Sequence, residues 1–122
     1  MIDATNTRKY RRISVGPGHS VQFRLGSLDL KNIPITNMSA GGCFALLPGT
    51  LAHQLHPGTL LMDFQLENEQ LPDTTICSRV VRIVKGLTDI QGKDLGLGIS
   101  FLSTSPHFYE QIDRYVSTHS VQ

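Results

Sequence analysis

Short runs of alternating apolar and polar residues, separated by glycine and proline turns, constrain the fold of this chain most. In residues 95–101 every second residue is apolar, and glycine or serine stands between them. Residues 21–25 and 60–66 alternate in the same way. In the second of these runs, one phase consists of Leu60, Met62, Phe64 and Leu66. A period of two residues predicts strands that bury one face in a core.

Other segments predict further strands, with local irregularities. Residues 28–35 change phase near Asn32 and Pro34, which predicts a bulge because proline also removes a ladder donor. Residues 37–42 are polar and end in glycine, so we expect a turn there before a strand over 43–47. Residues 75–84 are apolar on both faces around Val80-Val81, and we expect that strand to be covered on both sides.

The period changes after Ser105-Pro106, a pair that is typical of a helix start. Phe108, Ile112 and Tyr115 then follow at helical spacing and form an apolar stripe that should pack on the sheet or over a barrel end. About six short strands followed by one helix favour a mostly β fold. We therefore predict a small six-stranded antiparallel β-barrel with a C-terminal α-helix rather than a sandwich.

The length of 122 residues predicts a single domain. Residues 1–18 are polar and basic and end in Gly16-Pro17-Gly18, so we expect a flexible N-terminal arm, with the barrel and helix over 19–122. No apolar run has the length of a signal peptide or a membrane span, which favours a cytoplasmic protein without membrane insertion. The net charge of only +1 argues against binding to long nucleic acid.

The residues that most often carry catalysis or metals show no organised pattern. Cys43 and Cys77 lack metal-ligand spacing and are expected to be reduced thiols. His53 and His56 lie three apart, but no third ligand accompanies them. Nucleophile elbows, phosphate loops and paired carboxylates are absent from the sequence as well. We therefore predict neither enzymatic activity nor a metal or other cofactor.

Two short motifs carry the functional signal. The arm contains Arg8-Lys9-Tyr10-Arg11-Arg12, an RxxxR pattern, and residues 37–42 match [D/N]xSxxG with Asn37, Ser39 and Gly42. Each motif alone is common. In this order, with strands around them, they make the chain resemble the PilZ family of cyclic di-GMP receptors. The resemblance covers nearly the whole chain, including the glycine-interrupted strand at 96–101 and the helix after it.

The resemblance implies that Arg8 and Arg12 are the principal ligands of cyclic di-GMP. Arginine suits this ligand because its planar fork pairs with a phosphate or with the O6/N7 edge of guanine, and its face stacks on a purine. A solvated basic tail is the structural alternative for these arginines.

The second motif would contribute the other half of the site. By resemblance, Asn37 and Ser39 hydrogen-bond a guanine edge, since an amide supplies both donor and acceptor. Gly42 would let the backbone turn or approach the ligand, and Met38 would point into the core. A purely structural hairpin turn is the alternative for this motif. Possible secondary contacts are Lys9, Tyr10, Arg11 and Gly41.

The implied function is a receptor or adaptor whose arm becomes ordered when cyclic di-GMP binds, and which signals through an unidentified downstream protein. The sequence is compatible with one ligand or a stacked pair. The main alternative is a PilZ-fold protein–protein interaction module that does not bind cyclic di-GMP. A third interpretation, an unrelated barrel that binds single-stranded nucleic acid or oligosaccharide, would require exposed aromatic residues for stacking, and this chain has no Trp.

Overall fold

The structure is a computed structural model that describes residues 10–87, 93–103 and 105–120, and these contain seven strands and one α-helix. In chain order the strands are β1 (Arg12–Ser14), β2 (Ser20–Leu25), β3 (Leu28–Ser39), β4 (Gly42–Leu47), β5 (Leu60–Leu66), β6 (Ile76–Val84) and β7 (Leu95–Leu102). A 3-10 helix, Gly49–Gln54, follows β4, and helix α1, Pro106–His119, follows β7. No helix within these ranges is long and apolar enough to cross a membrane.

Six of the strands close into an antiparallel barrel. Their order is β3–β2–β5–β6–β7–β4, and a pairing between β4 and β3 completes the ring. Strand β3 is long enough to pair with β2 along its first part and with β4 along its last part. Strand β1 lies outside the ring and pairs with the last residues of β3. The predicted six-stranded barrel with a C-terminal helix is confirmed.

A continuous row of aromatic contacts runs through the core from β2 to α1. The ring centroids of Phe23 and Phe64 lie 6.1 Å apart, and those of Phe64 and Phe101 lie 5.6 Å apart. Phe101 then contacts Phe108 edge to face at 5.7 Å. Because large buried aromatic rings remove much apolar surface from water, this row ties the helix to the barrel interior.

Helix α1 begins and packs as the sequence predicts. Ser105 occupies the N-cap in an extended conformation, and Pro106 is the first helical residue. Phe108, Ile112 and Tyr115 are all buried, so the predicted apolar stripe is the packing face. The helix lies against β1 and β3, the two strands that carry the candidate motifs.

The predicted phase of β5 is wrong in the first half of the strand. Leu61 is fully buried, whereas Leu60 and Met62 are 50% and 41% exposed. Asp63 adopts a left-handed conformation with φ of 50°, and the register with β6 shifts between Leu61 and Phe64. This bulge adds one residue to the strand, which reverses the alternation and brings Phe64 back to the core.

Strand β6 is covered on one face only. Val80 is fully buried, but Val81 is 50% exposed, so the expected cover on both faces is wrong. The irregularity predicted in β3 is confirmed, because Asn32 has a φ of 55° and the register with β2 shifts between Val21 and Phe23.

The segment over residues 37–42 is mainly strand rather than turn. Strand β3 continues through Ser39, so only Ala40 and Gly41 separate it from β4. Within the predicted arm, Arg12–Ser14 form strand β1. Residues 1–9 lie outside the described residues, and the division into an arm and a barrel stays a prediction.

Candidate ligand-binding site

The candidate site lies on the outer face of the barrel, where β3 ends. Met38 points into the core and is fully buried, as predicted, which turns its neighbours Asn37 and Ser39 to the outside. Strands β1 and β4 flank them with the register pairs Arg12↔Ser39, Ser14↔Asn37, Asn37↔Phe44 and Ser39↔Gly42. Directly paired residues of neighbouring antiparallel strands have Cβ atoms about 5 Å apart. The register therefore places Arg12 of the first motif directly beside Ser39 of the second, with Asn37 two residues earlier on β3 and Gly42 on the far side of β3.

Arg12 is half-buried, and its Nε atom lies out of contact with solvent. The positive charge of Arg12 also acts on the nearby thiol of Cys43. Burial raises the pKa of Cys43 from 9.0 to about 12, and the positive charge of Arg12 opposes that rise. The guanidinium thus lies close to the barrel wall, which does not fit a solvated tail at this position.

Asn37 presents an acceptor without a donor. Its Oδ1 atom is buried and accepts no hydrogen bond from any residue that the structure describes. A buried carbonyl oxygen that has lost its water costs free energy until a donor reaches it, about 1–3 kcal/mol. The side chain is therefore suited to a ligand that brings an N–H group to this surface.

Ser39 has a local structural role. It is only 5% exposed, and its Oγ accepts a hydrogen bond of 3.1 Å from the backbone N–H of Gly41. This bond closes the turn between β3 and β4, as hydroxyl side chains often do. Since Oγ is the acceptor in that bond, the hydroxyl proton can be donated to another group.

Gly42 is required by the packing of two strands. A Cβ at this position would overlap the carbonyl oxygen of Ile99 in β7 and would lie 3.3 Å from Cα of Ser100. In addition, the backbone N–H of Phe101 donates to the carbonyl of Gly41 over 2.9 Å. The absence of a side chain at Gly42 thus lets β4 approach β7, a contact within the barrel itself.

Tyr10 connects the start of the described chain to the helix. Its Cδ2 atom lies 3.1 Å from where a Cβ of Gly41 would be, so its ring covers the β3–β4 turn. The ring is nearly parallel to that of Tyr109 in α1, with centroids 6.4 Å apart. The hydroxyl of Tyr109 accepts a hydrogen bond from the backbone N–H of Ser103 at 2.8 Å. The Tyr10 side chain thereby lies between the second motif and α1.

The other predicted residues divide by position. Arg8 and Lys9 lie outside the described residues, and Arg11 is exposed. Within the described ranges, His, Cys, Asp and Glu side chains form no group of three that could hold a metal ion.

Two residues on this face were not predicted. Phe44 lies directly across from Asn37, and the guanidinium carbon of Arg82 in β6 lies 5.3 Å from the centroid of its ring. The flanking residues Cys43 and Ala45 point into the core, and this alternation is the sequence signal that places Phe44 outside. The position of Arg82 depends on strand pairing and has no local signal.

Comparison with known proteins gives a family match. The protein-family model of the PilZ domain matches residues 6–118 of this chain. A search of curated proteins found no significant match.

Several solved structures share the fold. The PilZ domain of YcgR from Escherichia coli, solved with c-di-GMP, is 22% identical with a TM-score of 0.74, and the match covers 93% of this chain and 91% of that chain. The Bacillus subtilis inhibitor of motility MotI/DgrA is 18% identical with a TM-score of 0.70, covering 91% and 50%. The K. pneumonia MrkH–c-di-GMP complex is 15% identical with a TM-score of 0.74, covering 90% and 51%. The chain thus spans about half the length of the last two proteins, and at these identities the likeness establishes the fold.

Proposed function

Since the chain belongs to the PilZ domain family, we propose that this protein is a cytoplasmic receptor for cyclic di-GMP without catalytic activity of its own. The observation that carries the proposal is the register of β1, β3 and β4. It joins Arg12 of the first motif to Asn37 and Ser39 of the second on one outward face. YcgR and MrkH, which share this fold, were both solved with c-di-GMP.

The chemistry of this surface fits a guanine dinucleotide. Arg12, together with Arg8 from the arm, supplies the planar cations that pair with a phosphodiester or with guanine O6 and N7. The buried Oδ1 of Asn37 accepts from a guanine N–H, and the free hydroxyl proton of Ser39 goes to an acceptor on the same base. Filling the empty acceptor of Asn37 removes a desolvation cost that the unliganded protein bears.

We propose further that ligand binding orders the N-terminal arm and that a partner protein recognises the result. Tyr10 is packed between the β3–β4 turn and Tyr109 of α1, so a ligand held by Arg8 and Arg12 acts directly on the segment next to the helix. The ordering consumes part of the binding free energy, as coupled ordering does in general.

The receptor proposal is tested by calorimetric titration of cyclic di-GMP into the full chain, with GMP as the control ligand. Wild-type protein should bind with micromolar or better affinity, about −8 kcal/mol. Arg8→Ala and Arg12→Ala should abolish the binding. Lys31→Ala is the matched control, because Lys31 is exposed on β3 but precedes the site by six residues; it should bind as wild type does. If folded wild-type protein gives no heat at cyclic di-GMP concentrations about a hundred times the expected dissociation constant, the interaction module that does not bind the ligand becomes the better account.

Arm ordering is tested by limited proteolysis with and without saturating cyclic di-GMP. Cleavage before Tyr10 should slow in the presence of ligand, while cleavage elsewhere stays unchanged. Equal cleavage rates in the two conditions, under confirmed binding, would refute the ordering step alone.

A further inference from the structure

The outer face continues from Asn37 across three more strands. The register pairs that define this row are Asn37↔Phe44, Phe44↔Gly98 and Gly98↔Arg82. Neighbouring strands lie about 4.8 Å apart, so the row is about 14 Å long from β3 to β6. Its two middle positions hold an aromatic ring and a glycine. The row therefore has polar residues at its two ends, and its middle is apolar and, at the glycine, free of any side chain.

The side chain of Arg82 lies back across this centre toward Asn37. A Cβ at Gly98 would lie 2.8 Å from Cγ and 3.2 Å from Nε of Arg82, so the arginine stem lies directly on the backbone of β7. The guanidinium carbon reaches to within 5.3 Å of the Phe44 centroid. The ring of Phe44 in turn covers Gly96, where an added Cβ would overlap its Cζ atom. Arg82 and Phe44, stacked on each other, thus cover the backbone at Gly98 and Gly96.

The charge of Arg82 is not neutralised within the described residues. The salt bridge found there joins Arg24 and Asp63, and no carboxylate of the described ranges pairs with Arg82. Arg82 is exposed, so one face of its guanidinium contacts Phe44 and the N–H edge remains open. A guanidinium held in this way has lost part of its rotamer freedom before any ligand arrives, which lowers the entropic cost of binding.

From this geometry we propose that Phe44 and Arg82 extend the ligand site, with Arg82 contacting a guanine base of bound cyclic di-GMP. The inference rests on the proposed function. Phe44 is paired directly with Asn37, so a dinucleotide anchored at Arg12 and Asn37 has its second base over β4 and β7. There, the guanidinium stacks on a purine or donates to its O6/N7 edge. Gly98 leaves the space that such a flat arrangement requires.

The test compares Arg82→Ala with Lys31→Ala, because Lys31 is exposed on β3 six residues before the site and its loss changes the net charge equally. Cyclic di-GMP affinity should fall about tenfold in Arg82→Ala and less than about twofold in Lys31→Ala. Arg82→Lys keeps the charge but lacks the planar fork, so it should bind as weakly as Arg82→Ala. Phe44→Leu removes the ring under the guanidinium and should also weaken cyclic di-GMP binding.

A second readout separates base recognition from general attraction to phosphate. Cyclic di-AMP carries the same phosphodiesters but has adenine N6 donors in place of guanine O6. The ratio of the affinities for cyclic di-GMP and cyclic di-AMP should therefore be smaller in Arg82→Ala than in wild type. Unchanged affinity in Arg82→Ala, or an equal loss in Lys31→Ala, would overturn this inference while leaving the receptor intact, provided that Arg12→Ala still abolishes binding. Absence of binding by folded wild-type protein would overturn both. A thermal melt of each variant verifies that it is folded.

Discussion

Alanine in place of Gly42 would put a methyl group where β4 and β7 come closest at the candidate site. The added carbon would overlap the carbonyl oxygen of Ile99 and lie 3.1 Å from its carbonyl carbon. These are backbone atoms, so no side-chain rotation can relieve the overlap. The strands must separate at this end of a ladder that runs from Gly42↔Ser100 to Leu47↔Leu95.

The expected cost follows from what that separation disturbs. Forcing a methyl group into a closely packed position costs typically about 1–3 kcal/mol. The nearby bond from the N–H of Phe101 to the carbonyl of Gly41 is also put at risk, which adds about 1 kcal/mol. We therefore expect Gly42→Ala to lower the free energy of unfolding by about 3 kcal/mol, and the melting temperature by about 10 °C.

The assay is urea denaturation followed by circular dichroism, with Gly41→Ala as the matched control. An added methyl at Gly41 meets the ring edge of Tyr10 at 3.1 Å, a half-buried side chain that can shift. Gly41→Ala should therefore cost less than about 1 kcal/mol. A Gly42→Ala variant within about 0.5 kcal/mol of wild type, or one more stable than Gly41→Ala, would refute the reasoning from the strand contact.

Three further predictions concern other parts of the fold. Because the pKa of Cys43 is raised from 9.0 to about 12, the folded state keeps a thiol proton that the unfolded state releases, so stability should fall as pH rises above about 9; urea titrations should show a shallower fall in Cys43→Ala, and an identical slope would count against the burial. Asp63 has a φ of 50°, so Asp63→Val should destabilise the protein by about 1–2 kcal/mol while Asp63→Gly changes little, and equal melting temperatures for the two would refute the bulge in β5. Tyr115→Phe removes the 2.7 Å hydrogen bond to Nε2 of His19 and should cost about 1 kcal/mol by denaturation; no loss would show that the bond does not contribute.

The sequence predicts the strands and the helix of this fold well because their hydrophobic patterns depend only on residues close together in the chain. Alternation over residues 95–101 and the Ser105-Pro106 helix start both depend on neighbours in the chain, and both are confirmed. The prediction of which β5 residues face the core was wrong because Asp63 has a left-handed conformation, which an alternating sequence pattern does not indicate. Val81 is exposed because it alternates with the buried Val80, and the register shift with β7 between Val80 and Arg82 then keeps Arg82 on the outer face as well.

The candidate site shows the same division between local and long-range information. The motifs predict Arg12, Asn37 and Ser39 as candidate ligands, and the inward direction of Met38 follows from alternation. Phe44 and Arg82 reach the same surface only through pairings between strands far apart in the chain. Gly42 was expected to make room for a ligand, and the structure adds a contact with Ile99 that a local motif does not reveal.

The most direct test of the receptor account is a ¹⁵N–¹H spectrum of the full chain, recorded during titration with cyclic di-GMP. We expect the largest shift changes at the backbone amides of Arg12, Asn37 and Ser39, and a change in the side-chain amide of Asn37 as its oxygen gains a donor. Changes confined to another face of the barrel, or no changes at saturating ligand, would contradict the account.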